Sequence, residues 1–305
     1  MEWRLRLPPG FGQRLRSQDG VTDPWLGSLP AQVQDVCDRW WLTPDGLAHG
    51  GGTSLVIPVL TSEGKSAALK LVSPLADPAE EKRALGMLAG HGVVECLRAD
   101  ADLRALLLER LDGPSLAAVA DPLEAARIAG ELARRIGSVP APADAPRLSA
   151  RSADWLRVLQ EQHARAEHEG AALGMGVVRR AFDVVEELAA DATVTLTHGD
   201  LSSQNVLRRA DGSWCAIDPD LLCGPREYEA HTVLRGVLPS SADASDVGEV
   251  MASVTEQFCL AANADPVWAQ ALSHARFVAS YYWEAQHEGD PQNIALLRAA
   301  AEVGV

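Results

Sequence analysis

The feature that most constrains this chain is a set of polar residues between short apolar segments, well past its midpoint. His198, Asp200 and Asn205 lie in one segment, and Asp218 follows Asn205 by thirteen residues. The apolar stretches around them predict short strands, and a glycine-containing turn at residues 210–213 predicts that two strands form a hairpin. The segment therefore predicts polar side chains presented at strand ends.

The spacing of these polar groups is typical of phosphoryl transfer. His-x-Asp-x-x-x-x-Asn is the catalytic-loop pattern of kinases, and here Asn205 follows Asp200 by five residues. An aspartate at this position accepts the proton of a substrate hydroxyl, while an asparagine and a second aspartate hold Mg²⁺ against nucleotide phosphates. We therefore interpret Asp200 as the catalytic base, and Asn205 and Asp218 as Mg²⁺ ligands.

Two other interpretations of this segment are less consistent with the spacing. Asp200 and Asp218 could cap strand ends, with His198 a hydrogen-bonded loop histidine, but turn formation does not require this spacing. A hydrolytic metal site on His198 and Asp200 would lack a second histidine at ligand spacing. The kinase interpretation accounts for all of the polar residues.

Composition narrows the class of partner. The chain has 305 residues, enough for two lobes with their own cores, and is 47% hydrophobic and 23% charged, as expected of a globular protein. Its net charge of −15 argues against nucleic acid as a partner and is compatible with a cationic small-molecule substrate. An acidic surface is also a common solubility property, so the charge alone does not identify the substrate.

The cysteines and the apolar runs predict a cytoplasmic protein. The five cysteines are odd in number, scattered and without Cys-x-x-Cys spacing, which favours reduced thiols. The N-terminus has no apolar core of signal-peptide length, and no run approaches the roughly 18 apolar residues of a membrane span. We expect no membrane segment and favour a monomer.

The N-terminal part of the chain predicts strands after one helix. Residues 1–29 are rich in Gly and Pro and predict a surface arm, and residues 30–41 have helical apolar spacing. Strands are predicted on either side of a glycine turn and again over residues 66–72. The turn residues Gly51, Gly52, Thr53 and Ser54 could bind phosphates through free N–H groups, although such glycines more often mark a hairpin.

A lysine and a glutamate form a second candidate pair. Lys70 lies between Leu69 and Leu71 in a predicted strand, so its side chain points to the face opposite both leucines. A helix begins after Asp77, and Glu81 lies on the apolar side of that helix, where a carboxylate needs a partner. We expect Lys70 to be that partner, as in the lysine–glutamate pair that binds phosphates in kinases. A lone strand lysine could also point to solvent.

The predicted hinge separates two lobes. A strand over residues 103–111 runs into Asp112-Gly113-Pro114, and the backbone there could meet adenine. We place the lobe boundary at this point, with a nucleotide-binding lobe over residues 1–112 and a catalytic, mostly helical lobe over residues 113–305. No Ala-Pro-Glu element follows Asp218, which favours a small molecule over a peptide as substrate.

With these residues assembled, the sequence resembles the aminoglycoside phosphotransferase family, and within it the streptomycin 6-phosphotransferase and hydroxyurea kinase group. The resemblance runs from about residue 29 to residue 229. The matching motifs include Ser54-Leu-Val-Ile-Pro-Val-Leu60, Ala67-Ala-Leu-Lys-Leu71, Leu107-Leu-Glu-Arg-Leu-Asp-Gly113, Ser138-Val-Pro-Ala-Pro142 and Ala216-Ile-Asp-Pro219.

The resemblance implies an α+β, two-lobed, protein-kinase-like fold, with ATP and Mg²⁺ as cofactors. It implies that Lys70 holds the nucleotide phosphates, that Glu81 orients Lys70, and that the backbone from Glu109 to Leu111 binds adenine. The chain departs from the family at Glu229, where the family commonly has Asp. This departure concerns the substrate rather than the reaction.

Acidic and aromatic residues near the C-terminus are the candidate substrate contacts. Glu284 and Glu288 are four residues apart on a predicted helix and could bind the guanidinium groups of a streptomycin-like cation. Glu229 and Trp283 complete the set, although an ordinary solvated face and a core tryptophan are the alternatives. We expect an aminoglycoside O-phosphotransferase. The alternatives are a kinase of hydroxyurea or another small metabolite, and a non-catalytic nucleotide-binding module.

Overall fold

The computed structural model describes four stretches of the chain, residues 4–17, 22–241, 246–287 and 289–303. The chain divides into two units, Met1–Asp112 and Gly113–Val305. Within the described stretches, no helix has both the length and the apolar character needed to cross a lipid bilayer.

The first unit is built on an antiparallel sheet of six strands among its described residues, with the order β1-β3-β4-β6-β5 and β2 paired to β3. Alternation places Leu55, Ile57 and Val59 on one buried face. The neighbouring strand β4 buries Leu69 and Leu71 in the same core. The strands are β1 Thr43–Pro44, β2 His49–Gly50, β3 Ser54–Leu60, β4 Ser66–Val72, β5 Cys96–Asp100 and β6 Ala105–Glu109.

The predicted surface arm over residues 1–29 is wrong. Helices α1 (Phe11–Ser17) and α2 (Thr22–Trp40) occupy most of its described part, and Phe11, Leu15 and Leu29 are fully buried in the sheet core. The apolar residues of α2 continue at helical spacing on both sides of a proline inside the helix. Burial of that apolar stripe therefore outweighs the hydrogen bond that the proline removes.

Helix α3 (Pro78–Met87) begins as the sequence predicted. The side chain of Asp77 accepts a hydrogen bond from the backbone N–H of Ala79 at 2.8 Å, and Pro78 occupies the first helical turn. The helix buries Ala84 and Leu85. This packing fixes the position of Glu81 on the helix.

The second unit is mainly helical. Helices start at the predicted Asp-Pro pairs, with Asp121 and Asp265 as N-caps. The predicted break near Pro239 is confirmed, because the helix that contains this proline ends at Ser241 and the next helix begins at Val247. The helices are α4 Pro122–Ile136, α5 Ser152–Glu169, α6 Met175–Leu188, α7 Ala230–Ser241, α8 Val247–Ala262, α9 Pro266–Gln286 and α10 Pro291–Glu302.

Two small antiparallel strand pairs lie among these helices. Strand β8 (Val206–Arg208) pairs with β9 (Trp214–Ala216), and this is the predicted hairpin, with Gly212 at a φ of 87° in its turn. Strand β7 (Leu196–Thr197) pairs instead with β10 (Leu222–Cys223). Together the two pairs hold both ends of the segment that carries His198, Asp200 and Asn205.

Candidate active site

The 198–205 loop connects β7 to β8, and its two polar ends are tied together. The side-chain N–H of Asn205 donates to the carboxylate of Asp200 and to its backbone carbonyl, each at 3.0 Å. Asp200 is exposed, so its carboxylate is accessible from solvent while Asn205 restrains it. Because the amide nitrogen of Asn205 is committed to Asp200, its side-chain oxygen is the atom that can serve as a metal ligand.

Asp218 follows β9 with a left-handed backbone, at a φ of 58°. An aspartate in this conformation costs about 1–3 kcal/mol, and such strain clusters at functional sites. No group of three or more His, Cys, Asp or Glu residues forms a metal site by itself in the part of the chain that is described. Mg²⁺ commonly takes one or two carboxylates plus water and phosphate oxygens, so Asp218 and the oxygen of Asn205 fit this ion.

Glu229 lies beneath the loop, and the prediction that it contacts substrate is wrong. Its side chain is 1% exposed and accepts hydrogen bonds from the hydroxyl of Thr197, from Gly199 N at 2.7 Å and from Leu201 N at 3.2 Å. A carboxylate whose oxygens accept three donors of the loop is unavailable to a substrate. Glu229 is a positioning residue, since it fixes the backbone on both sides of Asp200.

Asp220 was missed by the sequence analysis. Its backbone N–H donates to the carbonyl of His198 at 2.9 Å, and a Cβ added to Gly199 would lie 2.7 Å from its carboxylate. Gly199 is therefore required by this close approach as well as by its φ of 88°. Although Asp220 is exposed overall, loss of hydration where its carboxylate packs on Gly199 raises its pKa, and Asp200 adds to the increase. The second aspartate of the sequence Asp218-Pro-Asp220 was the signal that could have indicated this residue.

His198 is fully buried, and neither ring nitrogen has a hydrogen-bond partner among the described residues. The alternative interpretation of a hydrogen-bonded loop histidine is therefore not supported. The imidazole contributes packing under the loop, next to the backbone that leads to Asp200.

The first unit holds the predicted lysine–glutamate pair. Lys70 Nζ lies 2.6 Å from Glu81 Oε1, and the two side chains are 5% and 13% exposed. Lys70 lies on a central strand of the sheet, where it pairs with Val56 on one side and Leu106 on the other. The pair is thus fixed by a sheet and by a capped helix, and the sequence-based expectation of this contact is confirmed.

Replacement of Glu81 by alanine should destabilise the protein. Loss of one partner from a buried ion pair removes the attraction that offsets the desolvation of the remaining charge, which costs about 3 kcal/mol or more. Glu80→Ala is the matched control, because Glu80 is the adjacent residue of the same helix and is exposed. Urea unfolding followed by circular dichroism should give a lower midpoint for Glu81→Ala than for Glu80→Ala, and equal midpoints would show that the pair carries no net stability.

The glycine segment forms a tight hairpin turn between β2 and β3. The N–H of Gly51 donates to the carbonyl of Ser54 at 2.8 Å, and Ser54 is 2% exposed. The expected phosphate contacts through the N–H groups of Gly51 and Ser54 therefore do not fit this turn. Gly52 is exposed, with open space where a Cβ would lie, and Thr53 is half-buried. These two residues remain the candidates for a phosphate contact.

The predicted adenine-binding segment begins at Glu109, the last residue of β6. The N–H of Glu109 donates to the carbonyl of Glu95 at 2.9 Å. Any contact of the Glu109 backbone with adenine therefore falls to its carbonyl. Leu111 lies two residues beyond the strand and is half-buried, so its N–H and carbonyl are the further candidates.

The predicted substrate residues on α9 differ from one another in their surroundings. Trp283 is 51% exposed and stacks on His287 at 4.5 Å, so it is not a core residue. Glu284 forms an ion pair with Arg235 at 2.7 Å. Glu288 lies outside the described residues.

Comparison with known proteins places the chain among small-molecule kinases. A family model described as aminoglycoside/hydroxyurea antibiotic resistance kinase matches residues 39–287. The streptomycin 6-kinase of Streptomyces glaucescens is 31% identical over 283 residues, which cover 90% of each chain. The hydroxyurea phosphotransferase of Kitasatospora aureofaciens is 33% identical over 240 residues, which cover 78% of this chain and 68% of that one.

The fold matches a solved structure of the same kind. The crystal structure of an aminoglycoside phosphotransferase from Alicyclobacillus acidocaldarius superposes with a TM-score of 0.55 and 16% identity, over 88% of this chain and 90% of that one. The predicted α+β, two-lobed, kinase-like fold is thus confirmed.

Proposed function

The chain belongs to the aminoglycoside/hydroxyurea antibiotic resistance kinase family, and we propose on that premise that it transfers the γ-phosphate of ATP to a hydroxyl of a streptomycin-type aminoglycoside. That it is a small-molecule phosphotransferase follows from the family. ATP, Mg²⁺ and the aminoglycoside acceptor are the parts that we propose.

The geometry of the 198–205 loop is the observation that carries this proposal. Asp200 is the exposed carboxylate of the loop, and the hydrogen bond from Asn205 restrains it. A restrained aspartate orients an acceptor hydroxyl and takes its proton as the phosphoryl group arrives. Most of the rate gain in such a reaction comes from positioning and charge neutralisation.

We assign the remaining roles by unit. In the first unit, Lys70 binds nucleotide phosphates, and Glu81 holds its ammonium group at 2.6 Å. In the second unit, the side-chain oxygens of Asn205 and Asp218 would hold Mg²⁺. When bound, this ion neutralises charge on the phosphates. Gly52 and Thr53 are secondary phosphate contacts, and the carbonyl of Glu109 with the backbone of Leu111 binds adenine.

The identity of the acceptor is supported by the relatives and by charge. The matched relatives include streptomycin 6-kinases and a hydroxyurea phosphotransferase. A net charge of −15 favours a cation, because an acidic surface concentrates cationic ligands near the protein. Hydroxyurea, which is small and neutral, is the second candidate acceptor.

Turnover against a panel of acceptors tests the proposal. We expect ADP release with Mg-ATP and streptomycin, measured in a coupled assay, and a much lower rate with simple polyols. The native protein without an acceptor measures background hydrolysis. ADP release with hydroxyurea alone would replace the aminoglycoside by the second candidate, and release with neither compound would contradict both acceptors.

A further inference from the structure

Helices α7 and α9 are joined by two successive side-chain contacts. The hydroxyl of Ser280 lies 3.3 Å from His231 Nε2, and Arg235 Nη2 lies 2.7 Å from Glu284 Oε1. Both steps, from 231 to 235 and from 280 to 284, are four residues, so the two contacts lie one turn apart on each helix. The Arg235–Glu284 ion pair therefore joins two helices that also contact each other one turn away.

The helix that carries Arg235 also contacts the 198–205 loop. Gly236, the residue after Arg235, contacts the loop so closely that a Cβ added to it would lie 2.6 Å from the hydroxyl of Ser203. Ser203 is 7% exposed and lies three residues after Asp200. Helix α7 thus contacts the loop at the turn that presents Arg235.

The two partners of the pair differ in freedom. The Glu284 side chain is 13% exposed, while that of Arg235 is 43% exposed. Gly289 packs against the Glu284 carboxylate so tightly that a Cβ would overlap it, and Gly289 N donates to the Glu284 carbonyl at 3.0 Å. The carboxylate is therefore held in place, and the guanidinium is the partner that can leave toward solvent.

The exposed ring of Trp283 adds a second ligand-binding element beside Glu284. Its side chain is 51% exposed and stacks on His287 with an interplanar angle of 18°. Exposed aromatic rings pack against sugar rings and cations. Helix α9 thus presents a fixed carboxylate and, on the adjacent residue, an exposed aromatic ring.

We propose that Arg235 is a specificity-determining residue whose guanidinium holds the Glu284 carboxylate until a cationic group of the acceptor replaces it. The inference rests on the proposed function. Guanidinium groups bind carboxylates through charge-assisted hydrogen bonds, and Arg235 is itself a guanidinium. An ion pair with one exposed partner contributes little net free energy, so the exchange is nearly balanced. An acceptor without a cation cannot make the exchange.

The test removes the Arg235 guanidinium, which competes with the acceptor cation for Glu284. Arg235→Gln should lower the KM for streptomycin by about two- to fivefold, the range set by about 0.4–1 kcal/mol for an exposed pair, with kcat unchanged. The KM for hydroxyurea, if it is turned over, should not change. Glu284→Gln should raise the KM for streptomycin, and the double variant should match Glu284→Gln. Arg165→Gln, which breaks a solvent-exposed ion pair with Glu169 within α5, is the control for the loss of a surface arginine.

Calorimetric titration with streptomycin in the absence of nucleotide separates this inference from the proposed function. Tighter binding by Arg235→Gln without turnover in either protein supports the inference and overturns the acceptor. Turnover with an unchanged or raised KM in Arg235→Gln overturns the inference alone. No binding to either protein overturns both.

If Arg235→Gln is unstable in thermal unfolding, Arg235→Lys replaces it. Arg235→Lys keeps the charge without the planar fork, and a raised KM in this variant would overturn the inference.

Discussion

Asp200→Asn is expected to reduce kcat with streptomycin at least about 100-fold, the lower range for loss of a positioned general base. Asparagine keeps the size of the side chain and can still face Asn205, which donates to this position at 3.0 Å in the native protein. It cannot take up the proton of the acceptor hydroxyl. The affinity for Mg-ATP should stay within about twofold, because Asp200 acts on the acceptor hydroxyl.

The measurement pairs turnover with nucleotide binding. Coupled detection of ADP gives kcat, and calorimetric titration with Mg-ATP gives the affinity of the same preparation. Asp211→Asn is the matched control, since Asp211 is an exposed aspartate in the β8–β9 turn whose carboxylate accepts hydrogen bonds from Ser213. Retention of full kcat in Asp200→Asn would contradict its assignment as the base, and loss of Mg-ATP binding would indicate a role on the nucleotide side.

Local sequence signals were sufficient to predict a helix that has both apolar residues at helical spacing and an N-cap residue. Asp77 and Pro78 marked the start of α3, and the apolar stripe of that helix placed Glu81 on its inner side. The contact with Lys70 followed because a buried charge needs a partner. These predictions succeeded because a few adjacent residues determine the result.

Predictions that depended on distant contacts were less successful. The helices within residues 1–29 are held by burial of Phe11, Leu15 and Leu29 against the sheet, which glycine and proline content could not reveal. The strands β7 and β10 have two residues each and exist only because they pair with each other. A short window of sequence contains too few residues to predict which strands pair with each other.

Glu229 is a single side chain whose role also could not be predicted from the residues next to it in the sequence. Its place at a position where the family commonly has Asp suggested a substrate contact, and nothing in residues 225–229 indicates that the carboxylate is buried. The fold brings it to the hydroxyl of Thr197 and to the N–H groups of Gly199 and Leu201, which are about thirty residues earlier in the chain. These three donors are provided by the β7–loop junction, so the role of Glu229 depends on tertiary structure.

Glu229→Ala is accordingly expected to affect both stability and rate. It leaves buried donors on Thr197, Gly199 and Leu201 without an acceptor, which should lower the free energy of unfolding by about 3–5 kcal/mol. The backbone around Asp200 loses its anchor, and a displacement of about 1 Å at a catalytic group costs on the order of 100-fold in kcat. The KM for the acceptor should change little, because Glu229 is buried and does not contact the substrate.

Glu229→Gln separates positioning from simple loss of folding. The glutamine oxygen can still accept from the hydroxyl of Thr197 and from Gly199 N, but its NH₂ group faces the N–H of Leu201, so we expect a smaller fall in kcat than in Glu229→Ala. Glu227→Gln is the control, because Glu227 lies with Glu229 in the short 3₁₀ helix Arg226–Glu229 and accepts a hydrogen bond from Asp265 N at 2.9 Å, away from the loop. Urea unfolding and steady-state kinetics on all three variants give the comparison. A folded Glu229→Ala protein with native kcat and a raised KM would restore the substrate-contact interpretation. A buried residue that only positions the loop should not change KM without also changing kcat.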